Sequence, residues 1–245
     1  IINSFVREMF QNSNDARNKD LPVDPETSKS PPLLIKMGYE NVNKENLPAL
    51  DIYIEKLKLI RDTQPEGNEH PEFFKNAINA VDSGQEITVF RFEDFNTEGL
   101  EGNDGDETKS FNSLVLSEGY SVKSSAHAGG SFGIGKNAIY GFSMTRTVFY
   151  ASHNPSGEYI FQGVGKLASH KDGDRTTERR LYCGIGTDCE SIRDIEKIPS
   201  KHRKLFERNE PGLTQVALAP YKGEDWVHSF ACAILRNYWL LIHEE

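Results

Sequence analysis

Residues 5–17, with the sequence FVREMFQNSNDAR, combine a helical hydrophobic pattern with polar side chains at regular intervals. Glu8, Asn12 and Asp15 stand at positions i, i+4 and i+7, so in a helix their side chains share one stripe at the rim of the core. A carboxylate that accepts a proton and an amide that ligates a metal, one turn apart, suit Mg²⁺-dependent hydrolysis. A solvated polar face is the alternative. The apolar positions of this predicted helix, residues 1–19, are Ile2, Phe5, Val6 and Met9.

Residues 129–137, GGSFGIGKN, form a glycine loop that points to phosphate binding. Read from Gly130, the spacing is that of a P-loop, but Asn137 stands where a P-loop has Ser or Thr. The polar residues before the loop do not form the buried strand that a P-loop requires. Gly130, Gly133 and Gly135 still allow close backbone approach to an anion where a helix begins. The pattern indicates a phosphate loop of another kind, or a flexible turn without a ligand.

A third feature is the stretch FRFEDFNTEGLEG at residues 90–102, in which an alternating strand ends at Asp94. Gly99 and Gly102 follow this strand and indicate a turn. A carboxylate at the end of a strand is well placed to accept a hydrogen bond from an exocyclic amine in a pocket. An ordinary turn acid is the alternative interpretation.

Composition excludes several classes of protein. Hydrophobic residues make up 37% and charged residues 27% of the 245 residues, which is typical of a soluble globular protein. The longest apolar runs are too short for a transmembrane helix, and the net charge of −9 does not favour nucleic acid as a partner. Three cysteines without metal-ligand spacing indicate reduced thiols in the cytoplasm instead of disulfides or zinc. Basic stretches at 174–180 and 201–208 are interpreted as solvated surface.

The remaining pattern predicts an α/β sandwich with a mixed sheet, because helices and strands do not alternate regularly. The polar residues 96–131 are expected to be a functional or mobile loop. Neither end of the sequence reads as a natural terminus, so we expect the chain to be part of a longer protein. Strands are predicted at 33–37, 87–94, 146–152, 158–168, 179–183 and 213–221, and helices at 46–62, 71–82, from about 133, at 189–208 and at 224–243.

Together and in this order, these features resemble the GHKL ATPase superfamily, which includes the ATP-binding domains of Hsp90, MutL, the type II topoisomerase B subunit, MORC proteins and histidine kinases. The first motif of that family, E-x-x-x-N-x-x-D-A, is matched without gaps by Glu8, Asn12, Asp15 and Ala16. The third motif, G-x-x-G-x-G, is matched by residues 130–135. Both stretches are most similar in sequence to the corresponding motifs of Hsp90.

Two other motifs of the family are matched only in part. The second motif, D-x-G-x-G, begins at Asp94, but Asn96 replaces its first glycine and its second glycine comes one residue late, at Gly99. The fourth motif, a glycine followed by a threonine in a late strand, is represented by Gly212 and Thr214, which are one residue too far apart. By resemblance, the departure in the second motif concerns the sugar side of a nucleotide site more than the contact with the base.

The resemblance implies a Bergerat-type fold, a two-layer α/β sandwich of helices on a mixed, mostly antiparallel sheet, and an ATP site with Mg²⁺. By resemblance, Glu8 would be the general base, Asn12 would ligate Mg²⁺, and Asp94 would accept the adenine amino group. Thr214 would support that contact, and Gly99 would lie beside the nucleotide. The residues that would cradle the phosphates are Gly130, Ser131, Phe132, Gly133, Ile134, Gly135 and Lys136.

The expected organisation is an ATP-binding domain over residues 1–223, with a helical insertion at about 40–84 and an ATP lid at about 103–131. Residues 224–245 would form a helix that leads to a further region. The resemblance implies slow ATP hydrolysis by the isolated chain, with lid closure controlling homodimerisation or a partner protein, in a bacterial defence or stress system. Nucleic acid would bind only through other regions, and no membrane contact is expected. The alternatives are phosphotransfer as in histidine kinases, or an ATP sensor without hydrolysis.

Overall fold

A computed structural model of the chain describes residues 2–63, 71–117, 137–172, 175–177 and 179–244. The described residues form helices and strands at nearly the positions that the sequence predicts. The helices are α1 (Ile2–Asp15), α2 (Leu50–Thr63), α3 (Pro71–Asp82), α4 (Ala138–Phe142), α5 (Ser200–Arg203) and α6 (Trp226–Glu244). The strands are β1 (Leu34–Asn43), β2 (Glu86–Phe95), β3 (Thr147–His153), β4 (Tyr159–Lys166), β5 (His170–Asp172), β6 (Arg175–Thr177), β7 (Arg180–Cys183) and β8 (Gly212–Leu218).

The main sheet has six strands in the order β1-β2-β8-β3-β4-β7, and each neighbouring pair is antiparallel. Strands β5 and β6 pair with each other in a separate hairpin. β8 comes late in the chain but lies in the middle of the sheet, between β2 and β3. Every residue of β8 is buried, because helices cover both faces of the sheet there.

Two hydrophobic clusters lie on opposite faces of the sheet, since successive side chains of a strand point in opposite directions. On the first face, which we call the α1 face, helices α1, α4 and α6 pack against Val148 and Tyr150 of β3. On the second, which we call the α2 face, helices α2 and α3 pack against Phe149 and Ala151 of the same strand. The predicted α/β sandwich with a mostly antiparallel sheet is confirmed, and α2 and α3, within the predicted insertion, cover the second face.

Aromatic packing holds α1 against the sheet. The ring of Phe5 lies 5.5 Å from that of Phe90, 4.7 Å from that of Phe142 and 5.9 Å from that of Phe230, measured between centroids. These contacts come from β2, α4 and α6, so one side chain of α1 touches three other elements. Because Phe5 faces the sheet, the orientation of the polar stripe on the same helix is determined as well.

Two sequence-based interpretations need correction. The stretch 189–208, predicted as a helix with connectors, is mostly irregular and contains only a short 3₁₀ turn, Ile195–Lys197, and α5. The basic stretch 201–208 is not simply solvated surface, because His202 and Arg208 are buried. The prediction of solvated surface rested on composition alone. A run of charged residues shows neither which side chains face inward nor which groups they contact.

The first part of the predicted lid is packed onto the protein. Residues 103–117 are described, and they include a π-helical turn, Asn112–Leu116. Phe111 and Val115 from this segment belong to the hydrophobic cluster on the α1 face. Residues 118–136, which hold the rest of the predicted lid and the glycine loop, lie outside the described residues.

Candidate functional site

The carboxylate of Asp94 lies at the end of β2, on the α1 face, and only 3% of the residue is exposed. Its Oδ2 accepts a hydrogen bond from Ser13 Oγ of α1 at 2.8 Å. Its Oδ1 accepts from Thr97 Oγ1 at 2.7 Å and from the backbone N–H of Leu213 in β8 at 2.8 Å. One side chain thus joins α1, the turn after β2, and β8.

A carboxylate offers about four lone pairs, and these contacts occupy both on Oδ1 and one on Oδ2. One acceptor position therefore remains on Oδ2 among the described residues. Burial raises the pKa of Asp94, while the hydrogen bonds from Thr97, Ser13 and Leu213 and the charge of Arg208 oppose that rise. The donors favour the ionised form, which is the form that accepts a hydrogen bond from an amine.

The turn after Asp94 has the backbone geometry of a glycine turn despite its substituted motif. Asn96 has φ +63°, a left-handed conformation that Asn tolerates better than most other residues. The N–H of Glu98 donates to the carbonyl of Ala16 at 2.8 Å, which fastens the turn to the end of α1. Gly99 also has a positive φ, and a Cβ there would lie 2.5 Å from the carbonyl oxygen of His153. The two departures in the second motif are therefore compatible with a tight turn.

Glu8 and Asn12 lie half-buried on α1, one turn apart, and Asp15 at the end of the helix is exposed. Glu8 forms an ion pair with Arg7 at 2.8 Å. The hydroxyl of Tyr238 in α6 donates to the carbonyl of Arg7, and burial together with the nearby charge of Glu8 raises the pKa of Tyr238 to about 12. Among the described residues, the side-chain amide of Asn12 has no hydrogen-bond partner, which leaves its oxygen available to a ligand.

Thr214 lies on the other side of the sheet from Asp94. It stands directly opposite Glu93 on β2, and its Oγ1 is 3.2 Å from a carboxylate oxygen of Glu93. Its hydroxyl also accepts from Arg208 Nη1 at 2.7 Å. The extra residue between Gly212 and Thr214 explains this position, because a shift of one residue moves a side chain to the opposite face. Leu213 takes the place on the α1 face and contacts Asp94 through its backbone.

Arg208 and Ser13 are part of this region, although neither was identified from the sequence. Arg208, 7% exposed, donates from Nη2 to the backbone carbonyl of Asp94 at 2.7 Å and thereby holds the end of β2 from the α2 face. Burial lowers the pKa of its guanidinium, and the charges of Asp94 and Glu93 oppose this. Ser13 follows Asn12 directly, so its position in the first motif was a usable signal. Nothing in the sequence distinguishes Arg208 from its basic neighbours.

A cavity of about 510 Å³ opens behind this region, on the side that Arg208 occupies. Of the predicted site residues that the structure describes, none lines this cavity. Asp104, next in sequence to the lining residue Asn103, accepts hydrogen bonds from Ser191 and Arg193, which ties the loop after β2 to the stretch before α5. The polar and charged residues that line the cavity include Asn103, His153, Glu158, Arg193, Asp194 and Arg208.

The predicted phosphate-binding residues, Gly130 to Lys136, lie outside the described residues, and α4 follows them directly. In the part of the chain that is described, no group of three His, Cys, Asp or Glu side chains is arranged to hold a metal ion. Mg²⁺ bound with a nucleotide commonly takes one or two protein ligands beside phosphate oxygens and water. The amide oxygen of Asn12 fits that chemistry.

No family model matches this chain, and no curated protein matches it. The three cysteines are free thiols. None of the helices, as far as they are described, combines the length and the hydrophobicity needed to cross a membrane.

Proposed function

We propose that this chain is a GHKL-type module that binds ATP with Mg²⁺ and hydrolyses it. The observation that carries the proposal is the buried carboxylate of Asp94, which keeps one acceptor position while three protein donors hold it in place. A buried polar group that recognises an exocyclic amine gives strong selectivity, since an unmatched ligand leaves it unpaired. Adenine presents such an amine, and guanine presents a carbonyl at the same position.

In this proposal the polar stripe of α1 acts on the triphosphate. The oxygen of Asn12 would ligate Mg²⁺, and the bound ion would neutralise charge on the phosphate oxygens. Glu8 accepts a proton from a water molecule as that water attacks the γ-phosphorus and the bond from phosphorus to the ADP oxygen breaks. The half-buried position of Glu8 suits this role, because its side chain is 20% exposed and reaches water.

A second candidate function is an ATP sensor that does not hydrolyse its ligand. The ion pair between Arg7 and Glu8 favours it, since a carboxylate held by a guanidinium is a weaker base. Arg7 is well exposed, and an exposed ion pair contributes little energy. The pair is therefore easily broken, and we retain hydrolysis as the leading function. Control of dimerisation or of a partner by closure of the predicted lid belongs to the same proposal, and the first part of that lid is packed on the α1 face through Phe111 and Val115.

Calorimetry with a non-hydrolysable Mg·ATP analogue tests the binding step, with an excess of chelator as the control for Mg²⁺. We expect saturable binding that weakens when the metal is removed. Absence of binding at millimolar analogue would refute the proposal. Phosphate release from ATP then separates the two candidates, because a sensor binds ATP without turnover. Radiolabel that remains on the protein after incubation with γ-labelled ATP would instead indicate phosphotransfer.

A further inference from the structure

The cavity of about 510 Å³ on the α2 face is lined by charged groups of both signs. Arg193 and Arg208 supply guanidinium groups, and Glu158 and Asp194 supply carboxylates, while Asp94 is not among its lining residues. The volume is that of a small-molecule site. Whether such a cavity takes a ligand depends on how far these groups are already paired within the protein.

Arg208 is buried without an ionic partner. Only 7% of the residue is exposed, and all the acceptors of its guanidinium are neutral oxygens. They are the hydroxyl of Thr214 and the backbone carbonyls of Asp94, Glu210 and Pro211. In the described chain Arg208 forms no ion pair with a carboxylate. A buried arginine is normally paired, and one N–H of Nη1 is left unused here.

The second guanidinium, that of Arg193, is held in place but is not saturated. Its Nε donates to Ser191 Oγ at 2.8 Å and its Nη2 to Asp104 at 3.0 Å. Its Cζ lies 4.9 Å from the centroid of the Phe111 ring. Within the described residues no acceptor bonds to Nη1, so both hydrogens of that nitrogen remain for a ligand. Two arginines with unused donors at one cavity suit a carboxylate.

The two carboxylates of the lining each use one oxygen for a contact within the protein. Oε2 of Glu158 accepts from Asn154 Nδ2 at 2.7 Å, and Oδ1 of Asp194 accepts from the N–H of Glu196 at 3.0 Å. No donor from the described part of the chain bonds to the other oxygen of either side chain, and neither forms an ion pair there. The free oxygens are acceptors that suit an ammonium group.

His153, at the end of β3, adds a buried polar atom to the same lining. Its Nδ1 has no hydrogen-bond partner among the described residues. Buried polar atoms in folded proteins nearly always have a partner, ordered water included. The cavity is therefore a place where polar groups of the protein still lack the partners that a polar ligand and its water would supply.

We propose that this cavity binds a free α-amino acid, with the ligand's carboxylate at Arg193 and Arg208 and its ammonium at Glu158 and Asp194. The four charged side chains of the lining sum to zero, so a polyphosphate is disfavoured and a ligand that carries both charges is favoured. A ligand with a single charge leaves the opposite pair unmatched. The proposal does not depend on ATP binding, and its test contains no nucleotide.

Thermal unfolding of the 245-residue chain with each common L-amino acid at about 10 mM tests the proposal. Calorimetry then measures the affinity of the amino acid that raises the midpoint most, and we expect a dissociation constant between about 10 μM and 1 mM. The N-acetyl derivative and the C-terminal amide of that amino acid each lack one charge and should bind at least about tenfold more weakly. Acetate or inorganic phosphate that binds as tightly would indicate a simple anion site and overturn the proposal.

Substitutions locate the bound amino acid. Glu158→Gln and Asp194→Asn keep an oxygen for the protein contacts but remove the charges, and together they should weaken binding at least about tenfold. Arg193→Gln should weaken it as well, whereas Arg208 is left unchanged because it holds the end of β2. Glu55→Gln, at an exposed position of α2, is the matched control and should bind normally.

Circular dichroism establishes that each variant is folded. If no amino acid shifts the midpoint of the wild type at about 10 mM, the proposal is wrong. Affinity that is unchanged in the double variant and in Arg193→Gln would place the ligand elsewhere and overturn the proposal as well. Neither result bears on the proposed ATP site, which calorimetry with the Mg·ATP analogue tests separately.

Discussion

Replacing Asp94 by Asn separates the contacts that hold the fold from the acceptor that the proposed site offers to adenine. The amide oxygen of Asn can take the place of Oδ1 and accept from Thr97 and from the N–H of Leu213. Its nitrogen then takes the place of Oδ2 and donates to Ser13, whose hydroxyl can accept. The three protein contacts survive, but the free acceptor position becomes an N–H.

The expected loss follows from that single change. An adenine amine would meet a donor where it had met a charged acceptor, and hydrogen bonds to charged groups contribute about 1.5–3 kcal/mol. The affinity for the Mg·ATP analogue should therefore fall about 10- to 150-fold. The free energy of unfolding should change by less than about 1 kcal/mol at about pH 4, because the protein contacts are retained.

Calorimetry with Mg·ATP and Mg·GTP analogues measures the loss of affinity and shows whether it comes from the contact with the base. Since guanine presents an acceptor in place of the amine, Asp94→Asn should narrow the preference for the adenine nucleotide. Glu93→Gln, on the same strand but on the opposite face, is the matched control and should bind normally. Lys136→Ala should lose little affinity, because the proposed phosphate loop acts through its backbone and does not require the lysine side chain. If Asp94→Asn binds like wild type, or if Lys136→Ala alone abolishes binding, the site has been placed wrongly.

The same variant has a signature in the pH dependence of stability. Burial raises the pKa of Asp94 in the folded state above its unfolded value of about 3.9. The stability of the wild type therefore includes a contribution that is complete below that pH and is lost as pH rises through the folded pKa. An asparagine side chain does not ionise, so the Asp94→Asn variant does not lose this stability as pH rises. The unfolding free energy of the variant minus that of the wild type should therefore increase from about pH 4 towards pH 7. Urea titrations at several pH values measure this, and a difference that falls with pH would contradict the reasoning.

Three further substitutions test the neighbouring residues. Glu8→Ala should keep nucleotide affinity while phosphate release falls about 10²- to 10⁴-fold, and a parallel loss of binding would contradict its role as general base. Thr214→Val should change the affinity for the Mg·ATP analogue by no more than about twofold in calorimetry, because the side chain of Thr214 lies on the α2 face. A large loss of affinity would show that Thr214 belongs to the nucleotide site. Arg208→Met should lower the free energy of unfolding in urea by about 3 kcal/mol, since it removes the buried donor to Thr214 and to the carbonyl of Asp94. An unchanged urea midpoint would show that those contacts are dispensable.

Much of the fold was predictable because the relevant signals are local. The helical spacing of Phe5 and Met9 predicts α1, and the alternation before Asp94 predicts β2 with its last carboxylate. Both patterns depend on neighbours within a few residues, so they survive without knowledge of the rest of the chain. The turn after Asp94 was harder to interpret, because Asn96 reproduces with a different residue type what the motif does with glycine.

The sequence by itself determined most of the helices and strands, the carboxylate at the end of β2, and the polar stripe of Glu8 and Asn12 on α1. It did not indicate the β5–β6 hairpin, and it wrongly indicated a helix over 189–208. Only the tertiary structure decided which groups surround Asp94, on which face Thr214 lies, and that Arg208 is buried. The physical reason is the distance along the chain. Strand β8 reaches β2 from more than a hundred residues away, and its register, on which the face of every side chain depends, results from packing in three dimensions.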